Sequence, residues 1–196
     1  PRTGVNVLTQ GRVIFFTAAA TTFGPGVLSS YLFAQRITDA VTQVIQQSVT
    51  TASLPILSKE FIENRMDEYK KVVKTYVLLL GTIGFFAAVS IYFLQDIVVW
   101  LLYGNTAYKD AIIFFLQGFL VALPLQMMIG YFSISLYSAK DTKSVFYSNL
   151  ISTIIAVIVC YSTQSSGAIS LVYGVIAMSV ANFIAISLLY MRKKLS

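Results

Sequence analysis

Long apolar runs, separated by short polar connections, make up most of the chain. Each run approaches the roughly 20 apolar residues that a helix needs to cross a membrane, and none alternates strictly as barrel strands do. The pattern therefore predicts an all-α, polytopic transmembrane bundle of about six spans, with residues 1–196 forming a single lobe. The predicted spans are residues 5–23, 27–57, 72–94, 111–137, 145–161 and 168–191, and the shorter run 97–103 is expected to form an interfacial segment.

Composition favours this interpretation over a water-soluble domain. Hydrophobic residues make up 57% of the chain and charged residues 11%, whereas a soluble domain is typically about 25% charged. The mean hydropathy is +0.76. Although the net charge is +6, the basic residues lie in short connections, where membrane topology uses them. No nucleic acid is therefore expected as a partner.

The chemistry of soluble enzymes has few candidate residues here. There is one cysteine, Cys160, and no histidine, which argues against disulfide frameworks, zinc sites and histidine acid–base catalysis. A glycine-rich phosphate loop is also absent from the sequence. We therefore expect no catalytic site, no metal and no cofactor. The chain opens at Pro1 without a signal-peptide pattern, and this favours a fragment or a processed chain.

The basic residues concentrate in every second connection, and the alternate connections hold only Lys109. Arg2 and Arg12 fall on the basic side as well. Because Lys and Arg accumulate in cytoplasmic loops, this alternation predicts that both ends of the chain are cytoplasmic. The basic connections contain Lys59, Arg65, Lys70, Lys71, Lys74, Lys140, Lys143, Arg192, Lys193 and Lys194.

The second predicted span carries a stripe of polar side chains that is unusual for a membrane helix. Their spacing of 4, 3, 1, 3 and 3 residues places them on one helical face, and Arg36 precedes them by one turn. Lys59 follows at the basic end of the same span. The stripe consists of Asp39, Gln43, Gln46, Gln47, Thr50 and Ser53.

Arg36 lies about ten residues past the Gly24–Gly26 turn, or roughly 15 Å along a helix. A charge near the membrane centre costs from about 3 to well over 10 kcal/mol, depending on hydration. The stripe is therefore expected to face the bundle interior or a wet cavity, as in a transport pathway. In the alternative, Arg36 and Asp39 form an ion pair that locks two helices together, and the glutamines act as interhelical hydrogen-bond donors.

Four short segments carry recognisable sequence motifs. They read GVLSSYLFAQR at 26–36, LPILSK at 54–59, LYG at 102–104 and LYSAKDTK at 136–143. These segments resemble the MurJ/MviN lipid II flippases, which belong to the superfamily of multidrug, oligosaccharidyl-lipid and polysaccharide exporters, and residues 167–190 resemble the next helix of that family. The segments occur in the order found in that family and extend over nearly the whole chain.

This resemblance implies the carboxy-terminal lobe of a two-lobe exporter in a bacterial cytoplasmic (inner) membrane, with an amino-terminal lobe missing from this chain. It implies a part in peptidoglycan and cell-wall biosynthesis, in which a lipid-linked glycan precursor is flipped to the outer leaflet. On this hypothesis Arg36 and Lys59 meet the diphosphate, and Asp39 holds Arg36 or carries a proton. Gln43, Gln46, Gln47, Thr50 and Ser53 then bind sugar or water, and membrane lipids surround the lobe.

Some positions depart from the family pattern and leave alternatives open. Gln43, Gln46 and Gln47 replace small or apolar residues, which favours a more sugar-like headgroup and makes a polysaccharide-repeat flippase a competitor. Asp39 is also compatible with a cation-coupled multidrug antiporter of the same superfamily. A hypothesis of another class is a membrane scaffold that transports nothing, in which the stripe is a helix interface.

Overall fold

The computed structural model describes residues 2–192, with side chains from residue 4 onward, and the regular elements of this part of the chain are all helices. The all-α prediction is therefore confirmed. The basic residues Lys193 and Lys194 lie outside the described residues. The elements are α1 (Arg2–Thr21), α2 (Val27–Ile62), α3 (Met66–Tyr103), α4 (Lys109–Ser138), α5 (Thr142–Ser162), a 3-10 turn (Gln164–Ser166) and α6 (Ile169–Arg192).

Four of the six helices are long and apolar enough to cross a membrane, namely α3, α4, α5 and α6. The helices α1 and α2 do not meet this measure, because polar residues interrupt both. Within α2 the stripe that begins at Asp39 lowers the apolar content. All six predicted helices are present, and the passage of α1 and α2 across the membrane stays a prediction.

The helix α3 runs without a break through the residues that were expected to form a separate segment. Residues 97–103 are its last two turns, so they continue the third helix, and their interfacial location stays a prediction. Gln95 and Asp96 interrupt the apolar pattern but not the helix, because both find partners on α4. Gln117 Nε2 donates to Gln95 Oε1 at 3.1 Å, and Lys109 Nζ lies 2.6 Å from Asp96 Oδ1.

The helix α4 is the centre of the bundle and contacts α2, α3, α5 and α6. Its side chains Phe115, Leu116, Leu123 and Met127 are almost fully buried. The helix continues through Pro124, against which Gly84 of α3 packs. Because a glycine has no side chain, α3 approaches α4 closely at that level.

Short turns join the helices. The connection from α1 to α2 has positive φ angles at Gly24 and Gly26, a conformation that glycine adopts without strain. The aromatic ring of Tyr108 covers Gly26, where a Cβ atom would overlap it. At the other end of the bundle, the Asp141 carboxylate caps α5 by accepting from the backbone N–H of Ser144 at 3.1 Å. These turns hold neighbouring helices antiparallel, so that α2, α4 and α6 run in the same direction.

Candidate functional site

A polar cavity of about 270 Å³ lies near the middle of the bundle. Five helices supply its walls, and α3 is the one helix that does not contribute to it. Asp39 on its rim is exposed, so the cavity opens beside α2. It is lined by Arg12, Val13, Phe16, Tyr31, Gln35, Thr38, Asp39, Thr42, Gln46, Phe119, Gln126, Ile129, Gly130, Asn149, Val175, Met178, Ser179 and Asn182.

One positive and one negative side chain face this cavity, Arg12 of α1 and Asp39 of α2. Their charges attract each other, although none of the ion pairs within 4.0 Å in the described part of the chain joins them. The recorded hydrogen bond of the guanidinium runs from Nη1 to the sulfur of Met178 at 3.4 Å. Since a thioether is a weak acceptor, Arg12 keeps most of its donors for a bound group.

Gln46 fixes one wall of the cavity by bridging α2 and α4. Its Nε2 donates to the backbone carbonyls of Gln126 at 3.3 Å and Met127 at 3.2 Å. The amide fits there because Gly130 has no side chain, and a Cβ atom at that position would overlap it. Gln46 therefore lines the cavity. It also donates hydrogen bonds between two helices, as expected if the glutamines of the stripe join helices together.

The opposite wall carries amide and hydroxyl groups from α5 and α6. Asn182 is 6% exposed, and its Oδ1 has no hydrogen-bond partner among the described residues. Asn149 donates through Nδ2 to the carbonyl of Val145 at 2.8 Å. Gln126 reaches across from α4 to the Ser179 hydroxyl at 3.5 Å. This wall therefore offers several uncharged donors and acceptors, and one buried acceptor without a donor.

Aromatic rings close the side of the cavity that lies toward the α1–α2 turn. Phe16 stacks on Tyr31 with ring centroids 6.2 Å apart and planes 10° apart. Phe119 meets the same tyrosine edge-on at 5.2 Å. Phe16 and Tyr31 are buried, so the rings form a rigid apolar wall next to the polar groups.

The structure brings only part of the predicted polar stripe into this cavity. Asp39 and Gln46 line it, whereas Arg36, Gln43, Gln47 and Lys59 are exposed and lie outside its lining. Thr50 is half-buried and also lies outside the lining. Ser53 is fully buried beside the Tyr131 hydroxyl.

The predicted stripe and the face of α2 that lines the cavity differ by a rotation about the helix axis. At 100° per residue, the face that lines the cavity is turned by roughly 60° from the centre of the predicted stripe. The residues Gln35, Thr38 and Thr42 therefore join Asp39 and Gln46 at the cavity. Tight packing sets this rotation, because the neighbouring Ala34 and Thr38 are buried in the bundle.

Sequence reasoning missed the contribution of α1 and α6. Arg12 was interpreted as a topology signal on the basic side, but it lines the cavity. A signal was present, because Arg12 is the single charged residue between positions 3 and 35. Asn149 and Asn182 gave a weaker signal as isolated amides within apolar runs, and the sequence does not tell which face of α5 or α6 each occupies.

Metal ligands are sparse in this site. Within residues 2–192, no group of three or more His, Cys, Asp or Glu side chains is placed to hold a metal ion. The polar groups of the cavity are chiefly amides and hydroxyls, which bind by hydrogen bonds. The arrangement can therefore hold a polar molecule.

A family model described as MatE matches residues 1–162, which include the helices α1 to α5. No curated protein matches the chain, and neither does any solved structure.

Proposed function

The chain belongs to the MatE family, within the superfamily of multidrug and polysaccharide exporters, and from this premise we propose that it forms part of a flippase for lipid-linked glycans. The family and the apolar helices make it a multi-pass membrane exporter rather than an enzyme. On this proposal it moves a polyprenyl-diphosphate-linked glycan, such as a lipid II-like cell-wall precursor, to the outer leaflet. Transport proceeds by alternating access between this lobe and an amino-terminal lobe.

The observation that carries this proposal is the polar cavity inside a bundle of apolar helices. A flippase must shelter a polar headgroup while the lipid chain stays in the membrane. The amides and hydroxyls of the cavity match sugar hydroxyls, which both donate and accept hydrogen bonds. Ion pairs or a purely structural stripe would not require an open cavity at Asp39 and Gln46.

The exposed residues of α2 receive a different role. Arg36, Gln43 and Gln47 lie on the face next to the cavity opening, and Lys59 follows at the end of α2. A cation binds a diphosphate strongly when hydrogen bonds add to the charge. We therefore assign Arg36 and Lys59 to the diphosphate, and Gln43 and Gln47 to the opposing lobe or the glycan. Ser53 is buried away from any cargo in this conformation.

Orientation and location are also part of the proposal. Lys59, the 65–74 segment, the 140–143 turn and Arg192 share one end of the bundle. Because basic loops stay in the cytoplasm, we place that end in the cytoplasm of a bacterium, with the bundle in its inner membrane. Labelling single cysteines in the 65–74 segment from outside intact cells tests this orientation, and labelling there would overturn it.

Genetic complementation tests the flippase function. Arg36→Ala and Gln46→Leu are introduced into the protein in cells that depend on it, with the exposed Gln10→Leu as the matched control. Surface arrival of the lipid-linked glycan is then measured by an added, membrane-impermeant glycan-modifying enzyme. Export is expected to fall in both variants and to persist in the control. Full export in Arg36→Ala and Gln46→Leu would refute the proposal.

A second candidate function is cation-coupled multidrug export. Asp39 favours it, because a carboxylate on the rim of a cavity can bind a cation. The nearby charge of Arg12 opposes it, since like charges repel. In Asp39→Asn cells, loss of resistance to lipophilic cations with normal glycan export would support the antiporter instead of the flippase.

A further inference from the structure

We infer that the cavity binds one sugar ring of the cargo, while the rest of the headgroup and the diphosphate stay outside it. This inference rests on the proposed function, because it states which part of the proposed cargo enters the lobe. It assigns recognition of that ring to Arg12 of α1 and Asn182 of α6, which both lie outside the polar stripe of α2. The cavity size, the unpaired polar groups, the balance of charge and the aromatic wall carry it.

The size of the cavity limits what it can hold. Its volume of about 270 Å³ lies just below the roughly 300–1,000 Å³ range of pockets for drug-sized ligands. One ring with its hydroxyl groups is a ligand of that scale, whereas an oligosaccharide with an attached diphosphate is much larger. The cavity is therefore a subsite for a single unit and not a container for the whole headgroup.

The unpaired polar groups define the chemistry of that unit. Asn182 Oδ1 is buried and has no hydrogen-bond donor among the described residues. A buried acceptor without a hydrogen bond costs free energy. Arg12 offers donors that the Met178 sulfur satisfies poorly. A ligand in the cavity can accept from Arg12 and hydrogen-bond to the Asn182 amide, since both side chains line it. A vicinal pair of sugar hydroxyls does both, since each hydroxyl is a donor and an acceptor.

The charges of the cavity favour a neutral ligand over an ion. Arg12 would attract a diphosphate, but the carboxylate of Asp39 would repel it. A cation would be attracted by Asp39 and repelled by Arg12. A neutral polyol interacts favourably with both side chains. Arg36 is exposed and lies outside the cavity lining, and the cationic side chain whose charge acts on Asp39 is Arg12. The diphosphate therefore fits the Arg36 face better than the cavity.

The aromatic wall adds an apolar surface next to these hydrogen-bonding groups. Phe16 and Tyr31 stack and are buried, so they need no ordering when a ligand binds. The C–H groups of a sugar ring can lie against this apolar wall, because contact there removes apolar surface from water. The cavity thus combines an apolar wall for the ring with amides for its hydroxyls.

Direct binding of simple glycosides tests the inference. Methyl β-glucoside and methyl N-acetyl-β-glucosaminide are added to the purified protein in lipid nanodiscs, and saturation-transfer NMR measures their binding. Pyrophosphate serves as an anionic competitor of the glycosides, and tetraphenylphosphonium serves as a cationic one. Asn182→Leu is expected to bind about tenfold more weakly, equivalent to about 1.4 kcal/mol, with Gln10→Leu as the matched control. If Asn182→Leu does not fold, Arg12→Lys, which keeps the charge but loses the fork of donors, takes its place with the same expected loss.

The outcomes separate this inference from the proposed function. Glycoside binding that weakens in Asn182→Leu or Arg12→Lys and resists both competitors supports the subsite. Wild-type protein that binds no glycoside, or variants that bind as tightly as wild type, overturns the subsite. Displacement of the glycoside by either charged competitor also overturns it. If glycosides bind but surface arrival of the lipid-linked glycan does not depend on the protein, the subsite stands and the flippase proposal fails.

Discussion

The contact of Gln46 with Gly130 is the most sensitive point in the wall of the cavity. Replacing Gly130 with alanine puts a Cβ atom where the Gln46 amide lies. The amide must then leave the carbonyls of Gln126 and Met127, to which it donates at 3.3 and 3.2 Å. We therefore expect Gly130→Ala to loosen α2 from α4 at the level of the cavity.

The magnitude follows from two contributions. Hydrogen bonds between membrane helices contribute about 0.6 kcal/mol each on average, so the two bonds amount to about 1.2 kcal/mol. Residual overpacking costs about 1–3 kcal/mol in a well-packed site, with the lower end expected because Gln46 borders a cavity. These two costs together are about 2 kcal/mol. The helix preference of alanine over glycine, about 1 kcal/mol, offsets part of them, so Gly130→Ala is expected to lower the free energy of unfolding by about 1 kcal/mol.

A double-mutant cycle isolates the contact. The free energy of unfolding is measured in lipid nanodiscs for wild type, Gly130→Ala, Gln46→Ala and the double variant. Because Gln46→Ala removes the overlapping amide, Gly130→Ala should cost nothing or stabilise the protein in that background. A coupling energy of about 2 kcal/mol is expected. If Gly130→Ala costs the same in both backgrounds, Gln46 does not occupy the space above Gly130 and the described cavity wall is wrong.

The remaining stability predictions concern contacts outside the cavity, and each is measured by thermal unfolding. Gly26→Ala should destabilise by about 1–2 kcal/mol, because a left-handed conformation is unfavourable for alanine and the new Cβ meets Tyr108; equal stability would contradict the described turn. Asp141→Ala should cost about 1 kcal/mol through loss of the α5 cap, and Asp141→Asn should restore most of it. Tyr69→Phe removes the hydroxyl that bonds Ser135 and should cost about 1 kcal/mol; a gain in stability would show that this bond is absent.

Much of the fold could be predicted from the apolar pattern alone. A run such as 145–161 approaches the roughly 20 apolar residues with which a helix crosses a membrane. In lipid its backbone groups are satisfied only within a helix or a closed barrel. Helix ends were also readable at Gly24–Gly26, where glycine permits the turn. The continuation of α3 through residues 97–103 was not predicted, because polar residues in a membrane helix are tolerated when a neighbouring helix supplies partners. Gln95 and Asp96 have such partners on α4.

The candidate site was harder to predict because it depends on rotation and on neighbours. The spacing of Asp39 and Gln46 correctly put them on one face, but the direction of that face depends on which helix packs where. Packing against α4 turns Gln43 and Gln47 outward. Arg12 lines the cavity only because of where α1 packs, and the sequence pattern of α2 does not predict that position.

Cysteine accessibility in membranes tests whether water reaches the cavity beside α2, in a background where the buried Cys160 is replaced by serine. Thr42→Cys places a thiol in the cavity, and Ile154→Cys places one on the exposed apolar face of α5. Thiols react as thiolates, which form in water and not in lipid. A water-soluble thiol reagent is expected to label Thr42→Cys and not Ile154→Cys, although both label after denaturation. An unlabelled Thr42→Cys in the native membrane would contradict the water-accessible cavity.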